Sequence, residues 1–269
     1  MKFIEITSSA NPIIKEALKI KEKHARYRYE AFLIEGPHLM EMAAASPDVE
    51  IKRVFFTEKF SANKEGQRLL RQLSKKEVQL VETSGHILSK LTDTETPQGI
   101  VAIVSCKIAD LDKLSFKGTP FLVVCDGIQD PGNLGTIIRA SDAAGADVVV
   151  ILPGTCDAFM SKAIRATAGS LFNIPIVYSE QESFFNYLDL KNITLYAADV
   201  HAQTPIYEFN FKQPVAIAFG NEAYGVSKVL LKRAKGLKIP IVGKAESLNV
   251  AMAASVCLYE VVRQRAYYP

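Results

Sequence analysis

Uninterrupted apolar runs in the second half of the chain constrain its fold more than any other feature. Three of them, at residues 121–125, 148–152 and 215–219, have no polar residue at alternate positions. A strand that is apolar on both faces is typical of a parallel sheet covered by helices on both sides. The runs therefore predict an α/β domain built on a doubly wound parallel sheet.

A polar join separates this part of the chain from the part before it. Residues 107–120 contain polar residues, a glycine and a proline, so we predict a smaller α/β domain over residues 1–107 and the parallel-sheet domain over residues 118–269. In the first domain, the pattern predicts helices at 11–28, 38–45, 63–74 and 84–91 and strands at 31–34, 54–57, 78–81 and 99–104. In the second, it predicts strands at 121–125, 148–152, 175–178, 194–198, 215–219 and 237–241 and helices at 132–144, 161–168, 181–188 and 247–265.

The cysteines and histidines show no pattern of a metal site or a disulfide framework. The cysteines lie far apart without a CxxC pair, and the histidines have no ligand spacing. We therefore expect no metal, and we expect the cysteines to be small buried residues rather than catalytic thiols. These residues are Cys106, Cys125, Cys156 and Cys257, and His24, His38, His86 and His201.

The apolar runs also bear on cellular location. None reaches the roughly 18 to 20 residues that a membrane-spanning helix requires. The first twenty residues have no uninterrupted apolar segment of the kind found in a secretory signal. We therefore expect a cytoplasmic protein without a membrane partner.

Three loops rich in glycine and asparagine follow predicted strands, at residues 126–139, 219–227 and 239–250. In a doubly wound sheet, ligands bind beyond the carboxyl ends of the strands. Each loop alone is equally compatible with an ordinary connection or a local helix cap. Together, the three loops predict a ligand pocket.

Arg139 is the last residue of the first loop segment and lies within the predicted helix 132–144, flanked by Ile137, Ile138 and Ala140. An arginine surrounded by apolar residues requires a partner. The sequence leaves two partners open, a structural carboxylate and a bound phosphate.

The glycine spacing of the first loop disfavours a nicotinamide dinucleotide site. Gly132 and Gly135 are not followed by the third glycine of a GxGxxG motif. The next predicted strand ends in Leu152-Pro153-Gly154, without a carboxylate for a ribose. An oxidoreductase is therefore the weakest of the functional alternatives.

Motifs in the three loops resemble those of the SpoU-type (TrmH-like) RNA ribose 2′-O-methyltransferases of the SPOUT superfamily. They are Asn133-x-Gly135-x-x-x-Arg139 after Pro131, Gly220-Asn221-Glu222-x-x-Gly225, and Ile239-Pro240 with Ser247-Leu248-Asn249-Val250. Residues 9–15 and 32–36 are similar to the substrate-binding domain that many members carry, a module like certain ribosomal proteins. Departures from the family pattern are mild: Val226, Ile241 and Ala251 stand where Leu, Met and Ser are frequent.

The resemblance implies a fold, a cofactor and an assembly. The fold is a parallel-sheet methyltransferase domain closed by a C-terminal trefoil knot, preceded by the smaller α/β RNA-binding domain. The cofactor is S-adenosylmethionine, bound by Gly220, Asn221, Ile239, Ile241 and Leu248. The assembly is a homodimer packed through the C-terminal domains.

The resemblance also assigns catalytic roles to Arg139, Asn133, Glu222, Ser247 and Asn249. A ribose hydroxyl is a poor nucleophile, so its proton must be shared or accepted while the reactants are aligned. A guanidinium keeps its own proton at neutral pH. We therefore hypothesise that Arg139 binds a phosphate and orients the 2′-hydroxyl, with the proton leaving through the phosphate or water.

The formal net charge of +3 comes from the first domain. Residues 1–107 hold 17 Lys and Arg against 14 Asp and Glu, whereas residues 108–269 hold 15 against 15. Basic residues concentrate at 15–28 and 52–76, and a solvated helix surface is the alternative for each run, more so for the second. Combined with the resemblance, the first run predicts an RNA contact made by Lys15, Lys19, Lys23, Arg26 and Arg28, with Arg139 contacting RNA in the second domain.

The predicted function is thus methylation of a ribose 2′-hydroxyl in structured RNA. We favour ribosomal RNA of the 23S type because the N-terminal module resembles that of members that act on it. Transfer RNA is the alternative substrate. A non-catalytic RNA-binding or ribosome-assembly protein on the same fold is the alternative class.

Overall fold

The computed structural model describes residues 2–76, 78–105, 108–116 and 118–266. The chain forms two compact units, one of residues 1–107 with 159–164 and one of residues 108–158 with 165–269. The helices and strands are β1 (Ile4–Ile6), α1 (Pro12–Ile20), α2 (Lys23–Tyr29), β2 (Ala31–Glu35), α3 (Pro37–Ala45), β3 (Ile51–Phe56), α4 (Glu58–Ala62), α5 (Lys64–Ser74), β4 (Gln79–Thr83), α6 (Gly85–Leu91), β5 (Ile100–Ser105), β6 (Phe121–Asp126), α7 (Pro131–Ala143), β7 (Val148–Ile151), α8 (Ser161–Thr167), β8 (Ile176–Tyr178), α9 (Gln181–Lys191), β9 (Thr194–Ala198), β10 (Val215–Gly220), α10 (Lys228–Leu231), β11 (Lys235–Leu237) and α11 (Val250–Ala266). Single 3₁₀ turns occupy Leu111–Lys113, Ser170–Phe172 and Ile206–Glu208.

The first unit contains a mixed sheet in the order β1-β4-β3-β5-β2. Strands β1, β4 and β3 are parallel, and β5 runs antiparallel to β2 and β3. Helices α1 and α6 cover one face, where Ile14 and Leu88 share a core cluster with Phe55. Val54 and Phe56 alternate with Phe55 and are also fully buried. Helices α3 and α5 contact each other and give no described residue to that cluster, so they cover the opposite face.

Two features of the first unit differ from the sequence prediction. The predicted helix 11–28 is two helices, because Glu22 takes an extended backbone between α1 and α2. Next to the break, Lys21 Nζ donates to the Thr92 carbonyl at 3.0 Å and pairs with Asp93 at 2.7 Å. These contacts are distant in sequence, so local periodicity does not encode them. Strand β1 and helix α4 were not predicted, because three and five residues are too few to show a period.

The second unit contains a six-stranded sheet in the order β11-β9-β10-β6-β7-β8. All five neighbouring pairs are parallel, and every residue of β6, β7 and β10 is buried. The predicted parallel sheet is therefore confirmed. From β6 the chain adds β7 and β8 on one side and then crosses to the other side, where β9, β10 and β11 lie. The topological switch point therefore lies between β6 and β10.

The last two predicted elements of the second unit are displaced. Strand β11 ends at Leu237, so Ile239 and Ile241 lie in the following loop rather than in a strand. Helix α11 begins at Val250, not at Ser247. Asn249 Oδ1 accepts hydrogen bonds from the amides of Ala251 and Met252 at 2.9 and 3.3 Å, which makes Asn249 the capping residue. Helix α10 was not predicted because it has four residues.

The far end of α11 is anchored by Arg265. Its guanidinium donates to the carbonyl oxygens of Phe211, Thr119 and Gln213 at 2.7 to 2.9 Å. It also lies 5.4 Å from the ring centroid of Phe121. These bonds fix the helix axis, and through it the position of the Asn249 cap.

Candidate active site

The carboxyl ends of β6 and β10 bring the first two predicted loops together. Gly220 of β10 is paired with Asp126 of β6, and the buried Asp126 carboxylate accepts the Ser227 amide at 2.7 Å. A Cβ atom at Gly220 would lie 2.1 Å from the Gly225 carbonyl carbon and the Val226 nitrogen. Only glycine permits this turn, which folds the loop back over the strand end.

Glu222 is the centre of a hydrogen-bond network in this turn. Its carboxylate accepts the amides of Gln129 and Asp130 at 3.0 and 3.1 Å and the side-chain amide of Asn133 at 2.9 Å. Burial acts to raise the pKa of Glu222, but the hydrogen bonds from Asn133, Gln129 and Asp130 outweigh it and hold the pKa below the ordinary 4.5. Glu222 is therefore an ionised acceptor at neutral pH, not a general acid.

Asn133 and Asn249 link this network to the third loop. Asn249 Nδ2 donates to Asn133 Oδ1 at 3.0 Å, while Asn133 Nδ2 donates to Glu222. The Asp130 carboxylate caps α7 by accepting the Asn133 amide at 3.0 Å. Three segments far apart in sequence thus meet through Glu222, Asn133 and Asn249.

Two residues in this site, Thr155 and Gln129, were not predicted from the sequence. Thr155 Oγ1 accepts the Gly127 amide at 2.8 Å and donates to the Cys125 carbonyl at 2.9 Å. The Gly127 carbonyl accepts Gln129 Nε2 at 3.1 Å and Asn221 Nδ2 at 2.9 Å. With φ at +77°, Gly127 is held from both sides. The available signal was the position of Thr155 in the loop after β7, which also ends at this edge of the sheet.

Arg139 lies on the exposed side of α7, while Ile137 and Ile138 are fully buried. The expectation that apolar neighbours surround it is wrong, because those neighbours point to the core. Within the described ranges, no carboxylate pairs with Arg139. Of the two partners left open by the sequence, the structural carboxylate is absent there, and the guanidinium is exposed to solvent for a bound anion.

A pocket of about 260 Å³ opens at the end of β10. Its apolar wall is formed by Ala198, Phe219, Val250 and Ala253, and its remaining lining residues are Gly220, Asn221, Glu222, Gly225, Ser247, Leu248 and Asn249. Four of the five predicted catalytic residues lie in this pocket or in the hydrogen-bond network at its rim. Ser247 is exposed and lies in the loop before α11.

Three of the five predicted cofactor residues line this pocket, namely Gly220, Asn221 and Leu248. Ile239 and Ile241 are half-buried and are not among its lining residues. An apolar wall beside a backbone that a Cβ atom would obstruct fits a flat heterocycle with polar edges. The lining residues therefore fit the adenosyl part of S-adenosylmethionine.

The predicted RNA-binding residues differ in exposure. Lys15, Lys19, Lys23 and Arg28 are exposed. Arg26 is only 7% exposed, and its guanidinium donates to the carbonyl oxygens of Ile20 and Lys21. The structure thus corrects the prediction for Arg26, which satisfies the end of α1 and is not presented to a ligand.

A larger cleft of about 790 Å³ lies in the first unit, at the carboxyl ends of β1, β3 and β4. Its charged lining residues are Glu5, Glu58, Glu82 and Lys59, so carboxylates outnumber the single cation. Burial and the neighbouring carboxylates of Glu5 and Glu58 raise the pKa of Glu82. A cleft with this charge repels phosphates, so it is unsuited to an RNA backbone.

The described cysteines are structural. Burial raises the pKa of Cys257 to about 12, and burial with the nearby Glu222 and Asp130 carboxylates raises that of Cys156 to about 11. Burial also raises the pKa of Cys125 far above its ordinary value. These thiols are protonated at neutral pH and poor nucleophiles. Cys106 lies outside the described residues.

The described residues contain neither a metal-binding cluster nor a membrane-spanning helix. No group of three or more His, Cys, Asp and Glu side chains there could hold a metal ion. No described helix is long and apolar enough to cross a membrane.

Sequence and structure comparisons find relatives along nearly the whole chain. Residues 120–259 match the SpoU rRNA Methylase family, and residues 11–102 match the MRM3-like substrate binding domain. A Bacillus subtilis 23S rRNA (guanosine(2553)-2′-O)-methyltransferase is 36% identical over 96% of this chain and 98% of its own length.

Two solved structures are similar to this chain in three dimensions. An AdoMet-bound rRNA methyltransferase from Sinorhizobium meliloti has a TM-score of 0.85 at 29% identity, covering 97% of this chain and 98% of its own. The SpoU methyltransferase AviRb from Streptomyces viridochromogenes, in complex with AdoMet, has a TM-score of 0.85 at 28% identity, covering 95% and 98%. The chain belongs to the SpoU rRNA methylase family.

Proposed function

We propose that this protein transfers a methyl group from S-adenosylmethionine to a ribose 2′-hydroxyl of large-subunit ribosomal RNA. The observation that carries the proposal is the Glu222, Asn133 and Asn249 network at the rim of the pocket, with Arg139 exposed on the same helix as Asn133. A 36% identical relative is named as a 23S rRNA 2′-O-methyltransferase, and two structural neighbours are described with bound AdoMet.

The residues of the second unit have separate tasks in this proposal. Gly220, Asn221 and Leu248 hold the cofactor, which when bound supplies a methyl group on a positively charged sulfur. Glu222 fixes the turn after β10 and the start of α7, which carries Asn133 and Arg139. Ile239 and Ile241 are proposed as cofactor contacts on the resemblance alone.

Arg139 is the residue we assign to the nucleophile. Its guanidinium is exposed and binds the phosphate next to the target ribose, which orients the 2′-hydroxyl. The 2′ oxygen would take the methyl group as the bond from that methyl to the cofactor's sulfonium sulfur breaks and leaves a neutral thioether. The hydroxyl proton would pass to that phosphate or to water. Ser247 and Asn249 complete the polar mouth around the hydroxyl. Alignment of this kind supplies up to about 7 to 11 kcal/mol of a two-reactant barrier.

The first unit is proposed to bind the RNA substrate. Lys15, Lys19, Lys23 and Arg28 are exposed on α1 and α2, and we call them the α1–α2 surface. Phosphate contacts release counterions, so affinity should fall as salt rises. Residues 11–102, which include this surface, match a substrate binding domain.

We also propose the homodimer that the resemblance implies. Met252, Val256 and Tyr259 lie at i, i+4 and i+7 on α11 and are 64%, 44% and 53% exposed. An apolar stripe of this kind on a helix is typical of a surface covered by a partner. Val256→Arg should convert a dimer to a monomer in sedimentation equilibrium, and a wild-type monomer would contradict the dimer.

The knot and the location complete the proposal. We propose that the segment between β10 and α11 passes through a loop of the second unit, as the resemblance implies. In support, Asn249 at the start of α11 bonds to Asn133 of α7.

We propose a cytoplasmic location, in keeping with the three free cysteines of the described residues.

The test is transfer of a labelled methyl group to purified 23S rRNA, 16S rRNA and tRNA, followed by mapping of 2′-O-methyl nucleotides. We expect label on 23S rRNA with wild-type protein and almost none with Arg139→Ala. Label on tRNA alone would show that the substrate is tRNA and not 23S rRNA. RNA binding without methyl transfer to any RNA would indicate a non-catalytic RNA-binding protein and contradict the proposed enzyme.

A further inference from the structure

Helix α5 carries a single-sign stripe that the proposed function does not use. Lys64, Arg68, Arg71 and Lys75 line a shallow groove of about 560 Å³ together with Gln67 and Gln72. At about 100° per residue, the four basic positions fall within about 60° of one another on the helix. We call these four residues the α5 stripe.

The stripe points directly away from the core of the first unit. Leu69, Leu70 and Leu73 of α5 are fully buried, whereas all four residues of the stripe are exposed. The helix is therefore held by its apolar side, and the positive side is left to solvent. The stripe extends over eleven residue steps, or about 16 Å.

The charges of the stripe are not arranged for helix stability. Lys64 with Arg68 and Arg71 with Lys75 are like charges at i and i+4, and such pairs destabilise a helix. Arg68 pairs with Glu41 of α3. In the part of the chain that the structure describes, Lys64, Arg71 and Lys75 have no carboxylate partner. A helix surface that only keeps the protein soluble does not require charges of a single sign.

The partner that fits this stripe is a polyanion with regular spacing. Four cations along about 16 Å, flanked by the neutral amides of Gln67 and Gln72, match successive phosphates of a nucleic-acid strand, and amides can donate to phosphate and sugar oxygens. The α5 stripe contains no exposed aromatic residue for stacking on a base. Contact with the backbone, without base recognition, is therefore the mode it supports.

The location of the stripe says which part of the RNA it contacts. Helix α1 covers one face of the first unit's sheet, and α5 lies on the other face. The α1–α2 surface and the α5 stripe thus point in opposite directions within one small unit. One hairpin that lies against the first cannot also lie against the second.

We infer that the α5 stripe is a second RNA-binding surface, which holds the phosphate backbone of an RNA segment separate from the one bound by the α1–α2 surface. This inference rests on the proposed function and deepens it. The substrate is then a large folded RNA, or a particle containing it, with two segments on opposite faces of the first unit.

The test compares three triple variants of the full-length protein with complete unmodified 23S rRNA transcript as the probe. The stripe variant is K64Q/R71Q/K75Q, the α1–α2 variant is K15Q/K19Q/K23Q, and the matched control removes three exposed charges of the second unit, K191Q/K212Q/K232Q. Binding is measured from low to high salt, and methyl transfer is measured at saturating RNA.

For the stripe variant we expect roughly a tenfold to hundredfold rise in Kd near 0.15 M salt. The decline of log K with log salt should become less steep, its slope smaller in magnitude by about 2 to 3. The control variant should change neither the Kd nor the salt slope. The kcat of the stripe variant at saturating RNA should equal that of wild type. The charge-conserving variant K64R/R71K/K75R should keep the wild-type slope, which separates charge from folding. The α1–α2 variant should also make the salt dependence less steep, by an amount that does not depend on the α5 stripe.

Three different results would overturn the inference. If the stripe variant binds like the control while wild type still methylates the RNA, the inference fails and the proposed function stands. If wild type neither binds RNA in a salt-dependent way nor transfers a methyl group, both fail. Equal loss of affinity for a single excised hairpin with both variants would refute the claim of two separate segments.

Discussion

Lys15, Lys19 and Lys23 of the first unit are exposed on helix surfaces, whereas Asn133, Glu222 and Asn249 of the second unit are joined by hydrogen bonds of 2.9 to 3.0 Å. Both sets consist of polar groups, but they suit different work. Mobile cations bind a polyanion through long-range attraction that tolerates imprecise geometry. A methyl transfer needs the reacting atoms in a narrow range of positions, and a fixed network provides that.

Arg139→Ala tests the methyl-transfer role of the second unit and should have the largest effect of the variants considered. Arg139 is exposed and unpaired within the described residues, so the thermal midpoint should be unchanged. Loss of its contact with the reacting nucleotide should lower kcat/KM by about a hundredfold to a thousandfold. Arg139→Lys should recover only part of this, because an ammonium lacks the bidentate geometry. Full activity of either variant in the labelled-methyl assay would contradict the assignment.

Gly220→Ala should have the next largest effect. The added methyl would meet the Gly225 and Val226 backbone at 2.1 Å, and this backbone cannot move without opening the turn. We expect a loss of about 1 to 3 kcal/mol in the free energy of unfolding and weaker binding of S-adenosylmethionine by calorimetry. Gly118→Ala is the control, since a Cβ there meets no atom within 4 Å. Equal stability of the two variants would refute the argument from close approach.

Glu222→Gln tests whether the network depends on charge. The substitution removes the charge of a carboxylate that accepts three donors. Because Glu222 is exposed and water can reach the donors, it should cost only about 1 kcal/mol at pH 7. Because the folded pKa of Glu222 is depressed, its contribution is present above the unfolded value of about 4.5. It is lost as pH falls through the lower folded pKa.

The measurement for Glu222 is chemical denaturation of wild type and Glu222→Gln from pH 7 to pH 3. The difference between them should be constant near neutrality and shrink in acid. Glu180→Gln is the control, because the Glu180 carboxylate is exposed and makes no side-chain cap bond, so its removal should change stability little. A gap that widens in acid would contradict the direction of the pKa shift.

Arg26→Gln and Arg28→Gln test the same difference, between a bound and an exposed polar group, inside the first unit. Arg26 is 7% exposed and bonded to backbone carbonyls, so its loss should destabilise the protein by about 1 to 2 kcal/mol. Arg28 is exposed, so its loss should leave stability unchanged and weaken RNA binding by a few fold. The readouts are a thermal melt and an RNA titration, and identical behaviour of the two variants would show that burial does not separate their roles.

The parallel sheet of the second unit could be predicted because burial leaves a direct mark on sequence. The runs at β6, β7 and β10 are apolar at every position because both faces of those strands are covered. The locations of Asn133, Glu222 and Asn249 could be predicted as well, because ligand-binding loops follow strand ends. The family resemblance then assigned their roles.

Tertiary structure alone decided which polar groups are free and which are bound. Arg26 and Arg28 stand two positions apart in one basic run, yet one is buried against the end of α1 and the other is exposed. Thr155 is ordinary in sequence and becomes a support of Gly127 only because β6 and β7 end side by side. A sequence records the periodicity of burial within one element. The partner of a polar group depends instead on how distant chain segments come together, as Asn249 and Asn133 do across 116 positions of sequence.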